Sequence, residues 1–409
     1  MFFLYIDPGT GSMLFSILIG IVSTIFFFGQ RLFIKLKFFL SGGKSENNNK
    51  AKLPYVIFSD HKRYWNVFKP ICDEFEKREI DLTYLTASPD DPCLKTHYNH
   101  IKTEFIGEGN KAFAHLNIMH AGICLSTTPG LDVYQWKRSK NVDWYVHVFH
   151  SVSDGTGYRM FGLDSYDAIL AGGPIVEEEL SKINKKRNLP PKEFVITGIT
   201  YMDELKKRFD LENEVYKKNN FNRTVLLAPS WGKSAILSKY GENILQSLLK
   251  TNYKIIIRPH PQSLTSEKLL IEQLKQKYHN SDKLKWDFEN DNFSALYESD
   301  IMISDFSGVI FDYAFVFNKP VIYAEVNFDS SPYDAAWLDD EKWMIKNLNK
   351  IGYPLKQEDF DRMQDILDNS ISNFSKSDDL AYIRSQCWSN IGNAKTKIVD
   401  YLIQKNSAK

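Results

Sequence analysis

Two histidines follow apolar segments that are predicted to be buried strands, a position from which a side chain can face a cleft. His150 follows the segment 144–148 and opens the polar sequence HSVSDG. His260 follows the segment 254–257 and lies between two prolines, which stiffen its loop. Because imidazole titrates near neutral pH, either ring suits a general base. For His150 a helix-capping role is equally compatible with the residues alone.

A second group of residues is suited to binding phosphate. The sequence SDFSG at 304–308 lies between a predicted strand at 300–304 and a predicted helix at 309–316. Such a turn offers backbone N–H groups and hydroxyls to an anion, although Ser and Asp are also preferred as ordinary helix caps. The guanidinium of Arg258 matches phosphate oxygens. The candidate donor-binding residues are Arg258, Ser304, Asp305, Ser307, Gly308 and Asp312, with Ser230 and Trp231 from the segment APSW.

Alternating strands and helices are predicted to position these residues. In the first part of the chain the pattern predicts strands at 55–58, 82–85, 103–106, 123–125, 144–148, 167–170 and 194–196, with helices at 65–77 and 110–116. In the second part it predicts strands at 224–227, 254–257, 284–286, 300–304 and 321–324, with helices at 241–249, 269–278, 309–316, 358–367, 379–386 and 394–403. This alternation indicates an α/β protein with two facing Rossmann-like domains, in which ligands bind outside the carboxyl ends of the strands.

Composition narrows the class of protein. The 409 residues are 43% hydrophobic and 25% charged, as in a packed protein. Lys and Arg together number 51, as do Asp and Glu, so no net charge points to nucleic acid as a partner. The four cysteines are scattered, which argues against a disulfide framework or a zinc site. No acidic cluster calls for a metal, and no cofactor is predicted.

The first 40 residues differ from the rest, because residues 13–28 are almost wholly apolar and are followed by Arg31, Lys35 and Lys37. A cleaved signal peptide would carry its basic residues before the apolar core. We therefore predict a membrane anchor at 1–40, with the catalytic part on the cytoplasmic side of the cell membrane. A polar linker at 41–52, an acceptor-side domain at 53–205 and a donor-binding domain with a helical tail at 206–409 are predicted to follow.

Several motifs, in this order, resemble those of the CDP-glycerol glycerophosphotransferase family, the membrane-associated enzymes of teichoic acid synthesis. They lie between about 146 and 325. They are His150 at a strand end, GITYMD at 198–203, APSW at 228–231, RPHP at 258–261, and SDFSGVIFDY at 304–313 followed by Lys319 and Pro320. The chain departs from the usual family pattern in Phe149, Ser151 and Val152 around the first histidine and in Gly308, where a serine is usual.

The resemblance implies a GT-B fold and transfer of an alditol phosphate from a CDP-linked donor to a lipid-linked or polymeric glycan acceptor. It also implies that His150 and His260 form the catalytic pair, and that Ser304, Asp305 and Ser307 help hold the donor pyrophosphate. Two alternatives stay open on the residues. One is a GT-B enzyme that uses a nucleotide-sugar donor, such as a glycosyltransferase or an epimerase relative. The other is a non-catalytic protein that binds a nucleotide or an envelope partner.

Overall fold

The computed structural model describes residues 52–215, 223–289, 291–375 and 377–408. Within residues 52–215, seven strands form one parallel sheet. They are Leu53–Ser59 (β1), Leu82–Thr86 (β2), Ile101–Phe105 (β3), Ala121–Ser126 (β4), Val142–Val148 (β5), Ala168–Ala171 (β6) and Glu193–Ile196 (β7). Their order is β3-β2-β1-β4-β5-β6-β7.

Within residues 223–289 and 291–375, six further strands form a second parallel sheet. They are Thr224–Leu227 (β8), Lys254–Ile257 (β9), Leu284–Trp286 (β10), Ile301–Ser304 (β11), Val321–Ala324 (β12) and Tyr353–Leu355 (β13), in the order β10-β9-β8-β11-β12-β13. Strands such as TVLL and KIII carry runs of apolar residues because helices cover both faces of a parallel sheet.

Most of the helices lie between strands in the chain, and the last three follow β13. In the first half they are Trp65–Lys77 (α1), Asn110–Leu116 (α2), Pro174–Lys186 (α3) and Thr200–Val215 (α4). The second half contains Ile236–Leu249 (α5), Ser263–Ser266 (α6), Lys268–Lys277 (α7), Phe293–Glu298 (α8), Val309–Asp312 (α9), Trp343–Lys346 (α10), Met363–Ser372 (α11), Asp378–Cys387 (α12) and Ala394–Ser407 (α13). Short 3₁₀ helices lie at Lys62–Tyr64, Pro92–Lys95, Asp334–Trp337, Leu348–Lys350 and Gln357–Arg362.

The predicted α/β fold with two parallel sheets is confirmed, although several elements differ from their predicted bounds. The strand β13 was not predicted, because it is three residues long and contains Pro354. The helix predicted at 309–316 is α9 followed by a π-helix at Tyr313–Phe317. The helix predicted at 241–249 begins earlier, at Ile236, and passes through Gly241, whose positive φ of 40° interrupts the helical backbone.

The last helices return to the first sheet. Ile398 and Leu402 of α13 share a buried cluster with Phe68 of α1. The carboxylate of Asp203 accepts hydrogen bonds from the indole N–H of Trp388, at 3.1 Å, and from the backbone N–H of Ala394, the first residue of α13, at 3.0 Å. The predicted division into domains at 53–205 and 206–409 stays a prediction, and the tail assigned to the second domain packs on the first sheet.

A buried ion pair joins segments that belong to the two halves. Arg187, directly after α3, contacts Asp164 at 2.8 Å and Asp334 at 2.5 Å, and its side chain and that of Asp334 are almost fully buried. The guanidinium lies 4.8 Å from the ring centroids of both Phe161 and Trp337. These contacts fix the segment after β12 against the first half of the molecule.

The predicted anchor at 1–40 and nearly all of the predicted linker at 41–52 lie outside the described residues. Within the part of the chain that the structure describes, no helix combines the length and apolar character that crossing a bilayer requires.

Candidate active site

In both sheets, candidate residues follow strands that flank a reversal of the strand order. In the first sheet the order reverses between β1 and β4, and in the second it reverses between β8 and β11. Loops that leave the carboxyl ends of the strands diverge at such a reversal and open a crevice for a ligand. Thr127 follows β4 at the first reversal, while APSW and SDFSG follow β8 and β11 at the second.

His150 lies two residues after β5, in the crevice. Its Nδ1 is 2.8 Å from the hydroxyl of Thr127, and its ring centroid is 4.9 Å from that of Tyr64. Burial is the main cause that lowers the pKa of His150 to about 4, with smaller contributions from the charges of Arg63 and His260. The ring is therefore neutral at pH 7 and can accept a proton.

His260 lies on the loop after β9, opposite His150. Its Nδ1 accepts the backbone N–H of Gln262 at 3.1 Å, so the neutral ring carries its proton on Nε2. The indole of Trp231 lies beside it, with the ring centroids 6.4 Å apart. Burial, followed by the charge of Arg63, lowers the pKa of His260 to about 4. Arg63 thus acts on both rings, which lie on loops of different sheets.

The first two residues of SDFSG hold the neighbouring loop. The hydroxyl of Ser304 donates to the carbonyl of Ala228 at 2.6 Å. Asp305 accepts the backbone N–H groups of Ser230, at 2.9 Å, and Ile236, at 2.8 Å, one on each carboxylate oxygen. Burial raises the pKa of Asp305 to about 6 although these hydrogen bonds favour the ionised form. The side chains of Ser304 and Asp305 therefore position the loop that carries Trp231.

The later residues of the same turn face the first sheet. Ser307 and Gly308 are half-buried. A Cβ atom added to Gly308 would lie 3.6 Å from the carbonyl oxygen of Val152, on the loop that carries His150. The turn and that loop together line a cavity of about 190 Å³. Gly308 thus lines the same cavity as His150, whereas a role of Ser307 and Gly308 in donor binding stays a prediction.

Two predicted donor-binding residues are engaged elsewhere. Arg258 forms an ion pair with Asp287 and also donates to the carbonyl of Glu289 at 2.7 Å, so its guanidinium holds the loop after β10. Asp312 is buried beside the Tyr201 hydroxyl, and burial raises the pKa of its carboxyl to about 7. A direct contact of either side chain with phosphate stays a prediction.

The crevice also contains residues that the sequence reasoning missed. Asp60, Arg63 and Tyr64 follow β1, and burial raises the pKa of the Asp60 carboxyl. Among the described residues, Oδ1 of Asp60 is buried without a hydrogen-bond partner. The polar sequence DHKR directly after the strand predicted at 55–58 was the signal for this group. Thr127 and Lys342, which lines the cavity, carried no comparable signal.

Within the described residues, no group of three or more His, Cys, Asp and Glu side chains is arranged to bind a metal ion. The crevice offers imidazoles, hydroxyls, an indole, cationic side chains and the carboxyl of Asp60.

Comparison with known proteins identifies the family. The model of the CDP-glycerol:poly(glycerophosphate) glycerophosphotransferase family matches residues 159–400, more than half of the chain. The chain belongs to this family, which confirms the resemblance carried by the motifs. His260 and the SDFSG turn lie within the matched residues, whereas His150 precedes them.

A curated relative and two solved structures are similar to this chain. The minor teichoic acid biosynthesis protein GgaB of Bacillus subtilis (strain 168) is 27% identical over 193 residues, which cover 39% of this chain and 20% of GgaB. The chain thus spans about a fifth of that relative's length.

The structure of the wall teichoic acid polymerase TagF has a TM-score of 0.58 at 15% identity, covering 87% of this chain and 89% of that chain. The UDP-GlcNAc 2-epimerase of Methanocaldococcus jannaschii has a TM-score of 0.55 at 14% identity, covering 86% and 99%. At such identities these likenesses show the fold alone, which is the GT-B-like arrangement that was predicted.

Proposed function

We propose that this protein transfers an alditol phosphate from CDP-glycerol or CDP-ribitol to a hydroxyl of a lipid-linked or polymeric cell-envelope glycan, as in teichoic acid synthesis. The observation that carries the proposal is that the SDFSG turn lies against the loop that carries His150 at Gly308 and, through Asp305, holds the loop whose Trp231 lies beside His260. Membership of the glycerophosphotransferase family supports the reaction class. The names of GgaB and TagF support the setting in teichoic acid synthesis.

In this proposal His150 is the general base. The Thr127 hydroxyl lies 2.8 Å from Nδ1. We assign it as the acceptor of an Nδ1 proton, which leaves Nε2 to accept the proton of the acceptor hydroxyl. The acceptor oxygen forms a bond to the phosphorus of the alditol phosphate. The bond from that phosphorus to the bridging oxygen of the pyrophosphate breaks, and CMP leaves with the electron pair.

The second sheet holds the donor. The Nε2–H of His260 donates a hydrogen bond to the leaving phosphate, where negative charge develops during bond cleavage. Ser307 supplies a hydroxyl to the pyrophosphate, and Trp231 offers an indole face on which cytosine can stack. Ser304 and Asp305 act through the backbone of the loop that they hold.

Attachment to the membrane is a second part of the proposal. The apolar composition of residues 13–28 and the basic residues after them support an anchor with the crevice on the cytoplasmic side. Expression of the full chain in a bacterial host, followed by an alkaline carbonate wash of the membranes, tests the anchor. Retention in the washed membrane fraction is expected, and release into the supernatant would contradict an integral anchor.

A panel of donors tests the reaction. Calorimetric titration with CDP-glycerol, CDP-ribitol, UDP-GlcNAc and GDP-mannose should give binding of at least one CDP-alditol and none of the nucleotide sugars. A transfer assay should then release CMP in amounts equal to the alditol phosphate incorporated. Binding of UDP-GlcNAc alone would favour the nucleotide-sugar alternative. A well-folded protein without turnover of any donor would favour a binding function.

A further inference from the structure

One lysine in the crevice lacks a role in the mechanism above. Lys342 lies just before α10 and lines the 190 Å³ cavity together with His150, Tyr158 and Gly308. Its side chain has only 14% of its surface exposed. An ammonium group is rarely buried to this extent unless a partner compensates its charge. The contacts of this amine therefore indicate what it can bind.

The nearest carboxylate does not satisfy the lysine. Oδ1 of Asp154 is 3.9 Å from Nζ of Lys342, which is beyond hydrogen-bond distance. Both oxygens of Asp154 are already occupied, Oδ1 by the N–H and hydroxyl of Thr156 and Oδ2 by the N–H of Met344. In the part of the chain that the structure describes, Lys342 donates no hydrogen bond to the protein, and its further contact is with the ring of Phe328, whose centroid lies 5.6 Å from Nζ.

The cavity is suited to a small anion. Its lining contains no Asp or Glu among the described residues, and Lys342 is its permanent cation. Pockets for drug-sized ligands have volumes of roughly 300–1,000 Å³, so this cavity can hold one part of a CDP-alditol rather than the whole molecule. That part must reach His150, the proposed base, because His150 lines the same cavity.

We propose that this cavity binds the alditol phosphate that is transferred, with the ammonium of Lys342 contacting its phosphate oxygens. The inference rests on the proposed function and assigns a substrate-binding residue to it. An ammonium beside the reacting phosphorus lowers the repulsion between the phosphate oxygens and an incoming hydroxyl oxygen. Lys342 is thus a phosphate-binding residue of the crevice, supplied by the segment after β12.

The binding test compares donor and product. Replacement of Lys342 by Met keeps the length and removes the charge. We expect K342M to weaken CDP-glycerol about 10- to 100-fold in calorimetry, the range that loss of a charge-assisted hydrogen bond gives. CMP lacks the transferred phosphate, so its Kd should change less than about twofold, within the scatter of surface substitutions. Lys346→Met, on an exposed lysine four residues later, is the matched control and should bind both ligands normally.

A second variant displaces the amine without removing it. A Cβ atom on Gly157 would lie 2.7 Å from Nζ of Lys342 and 3.7 Å from its Cε. Among the described residues, no other atom is recorded within 4 Å of that Cβ position. Gly157→Ala should therefore move the ammonium and weaken CDP-glycerol binding. The double variant with K342M should be no weaker than K342M alone, because both changes act through one contact.

The outcomes separate this inference from the proposed function. Wild-type protein that binds CMP but no CDP-alditol would contradict the proposed function. If the wild type binds CDP-glycerol and K342M binds it equally well, Lys342 is only a partner of Asp154 and the inference is wrong. Equal weakening of CMP and CDP-glycerol would place the lysine at the leaving phosphate. Unchanged donor affinity with a raised KM for a poly(glycerol phosphate) acceptor would place it at an acceptor phosphate, which also overturns the inference.

Discussion

The carboxylate of Asp305 accepts the backbone N–H of Ile236 at 2.8 Å, so a residue of the SDFSG turn holds the start of α5. Its other oxygen accepts the N–H of Ser230. Together the two bonds fix both ends of the loop that carries Trp231. The family resemblance implied that Asp305 helps hold the donor pyrophosphate, and the structure shows its carboxylate holding the backbone of the loop that carries Trp231.

Replacing Asp305 by Asn should weaken this loop. An amide nitrogen cannot accept an N–H, so one backbone donor loses its partner and unfolding becomes easier by about 1–3 kcal/mol. Urea denaturation measures the loss, and calorimetry with CMP should show weaker binding. Asp300→Asn is unsuitable as a control because Asp300 accepts the backbone N–H of Thr224, the first residue of β8. The exposed variant Asp340→Asn should leave both quantities unchanged. Wild-type stability in D305N would contradict the bonding described.

His150→Ala and His260→Ala should each abolish transfer while the protein stays folded. Loss of a general base, the role of His150, lowers a rate by about 100- to 10,000-fold. Loss of one donor to a developing negative charge, the role of His260, lowers it by about 100- to 1,000-fold. Both rings are only half-buried, so the melting temperatures should change little. The measurement is CMP release from CDP-glycerol, with the exposed His279→Ala as control. Retention of most activity in both variants would refute the proposed catalytic pair.

Thr127→Val tests how His150 is oriented. Valine keeps the shape of threonine but removes the hydroxyl that lies 2.8 Å from Nδ1, so the ring loses the partner that selects its tautomer. We expect kcat to fall about tenfold, the size of a neutral hydrogen bond, with KM for the donor unchanged. Thr83→Val, at a buried position within β2, is the control for loss of a threonine hydroxyl. An equal loss of kcat in both variants would argue against a specific role.

The pH dependence of stability should report the two histidines. Their pKa values are lowered to about 4 in the folded protein, while the ordinary value is 6.5, so between these values the unfolded chain binds more protons. Each ring therefore destabilises the fold as the pH falls from 6.5 to 4. The raised pKa values of Asp305 and Asp312 act in the opposite direction.

A difference measurement isolates the histidines from the carboxyl groups. The double variant His150→Gln with His260→Gln should gain stability relative to the wild type as the pH is lowered from 7 to 4.5. Urea midpoints followed by tryptophan fluorescence at several pH values supply the comparison. A constant difference across this range would show that the two rings titrate alike in the folded and unfolded chains.

Arg187→Met should destabilise the contact between the two halves. Removing one member of a buried ion pair leaves its partners, here Asp164 and Asp334, without their cation and costs about 3–5 kcal/mol. The free energy of unfolding in urea tests this value. Lys206→Met, from the exposed Lys206–Asp210 pair on α4, should cost about 1 kcal/mol or less. A cost for Arg187→Met as small as that of the control would contradict a structural role.

Much of the secondary structure could be read from local patterns. The helix at 65–77 and the strands at 224–227, 254–257 and 284–286 have the predicted bounds, because apolar spacing and turn residues act over a few neighbours. The motif residues also lie at strand ends as expected. The short strand β13 escaped prediction because three residues with a central proline carry no periodic signal.

The sequence by itself determined the α/β class, the family and the two loops that carry His150 and His260. Only the tertiary structure decided which polar side chains remain available to a ligand. Asp305 and Ser230 are 75 residues apart, yet they bond because β11 lies beside β8 in the sheet. Lys342 lines the cavity because the segment after β12 packs against the first half of the chain. No local pattern encodes such partners, since hydrogen bonds and burial depend on residues that only folding brings together.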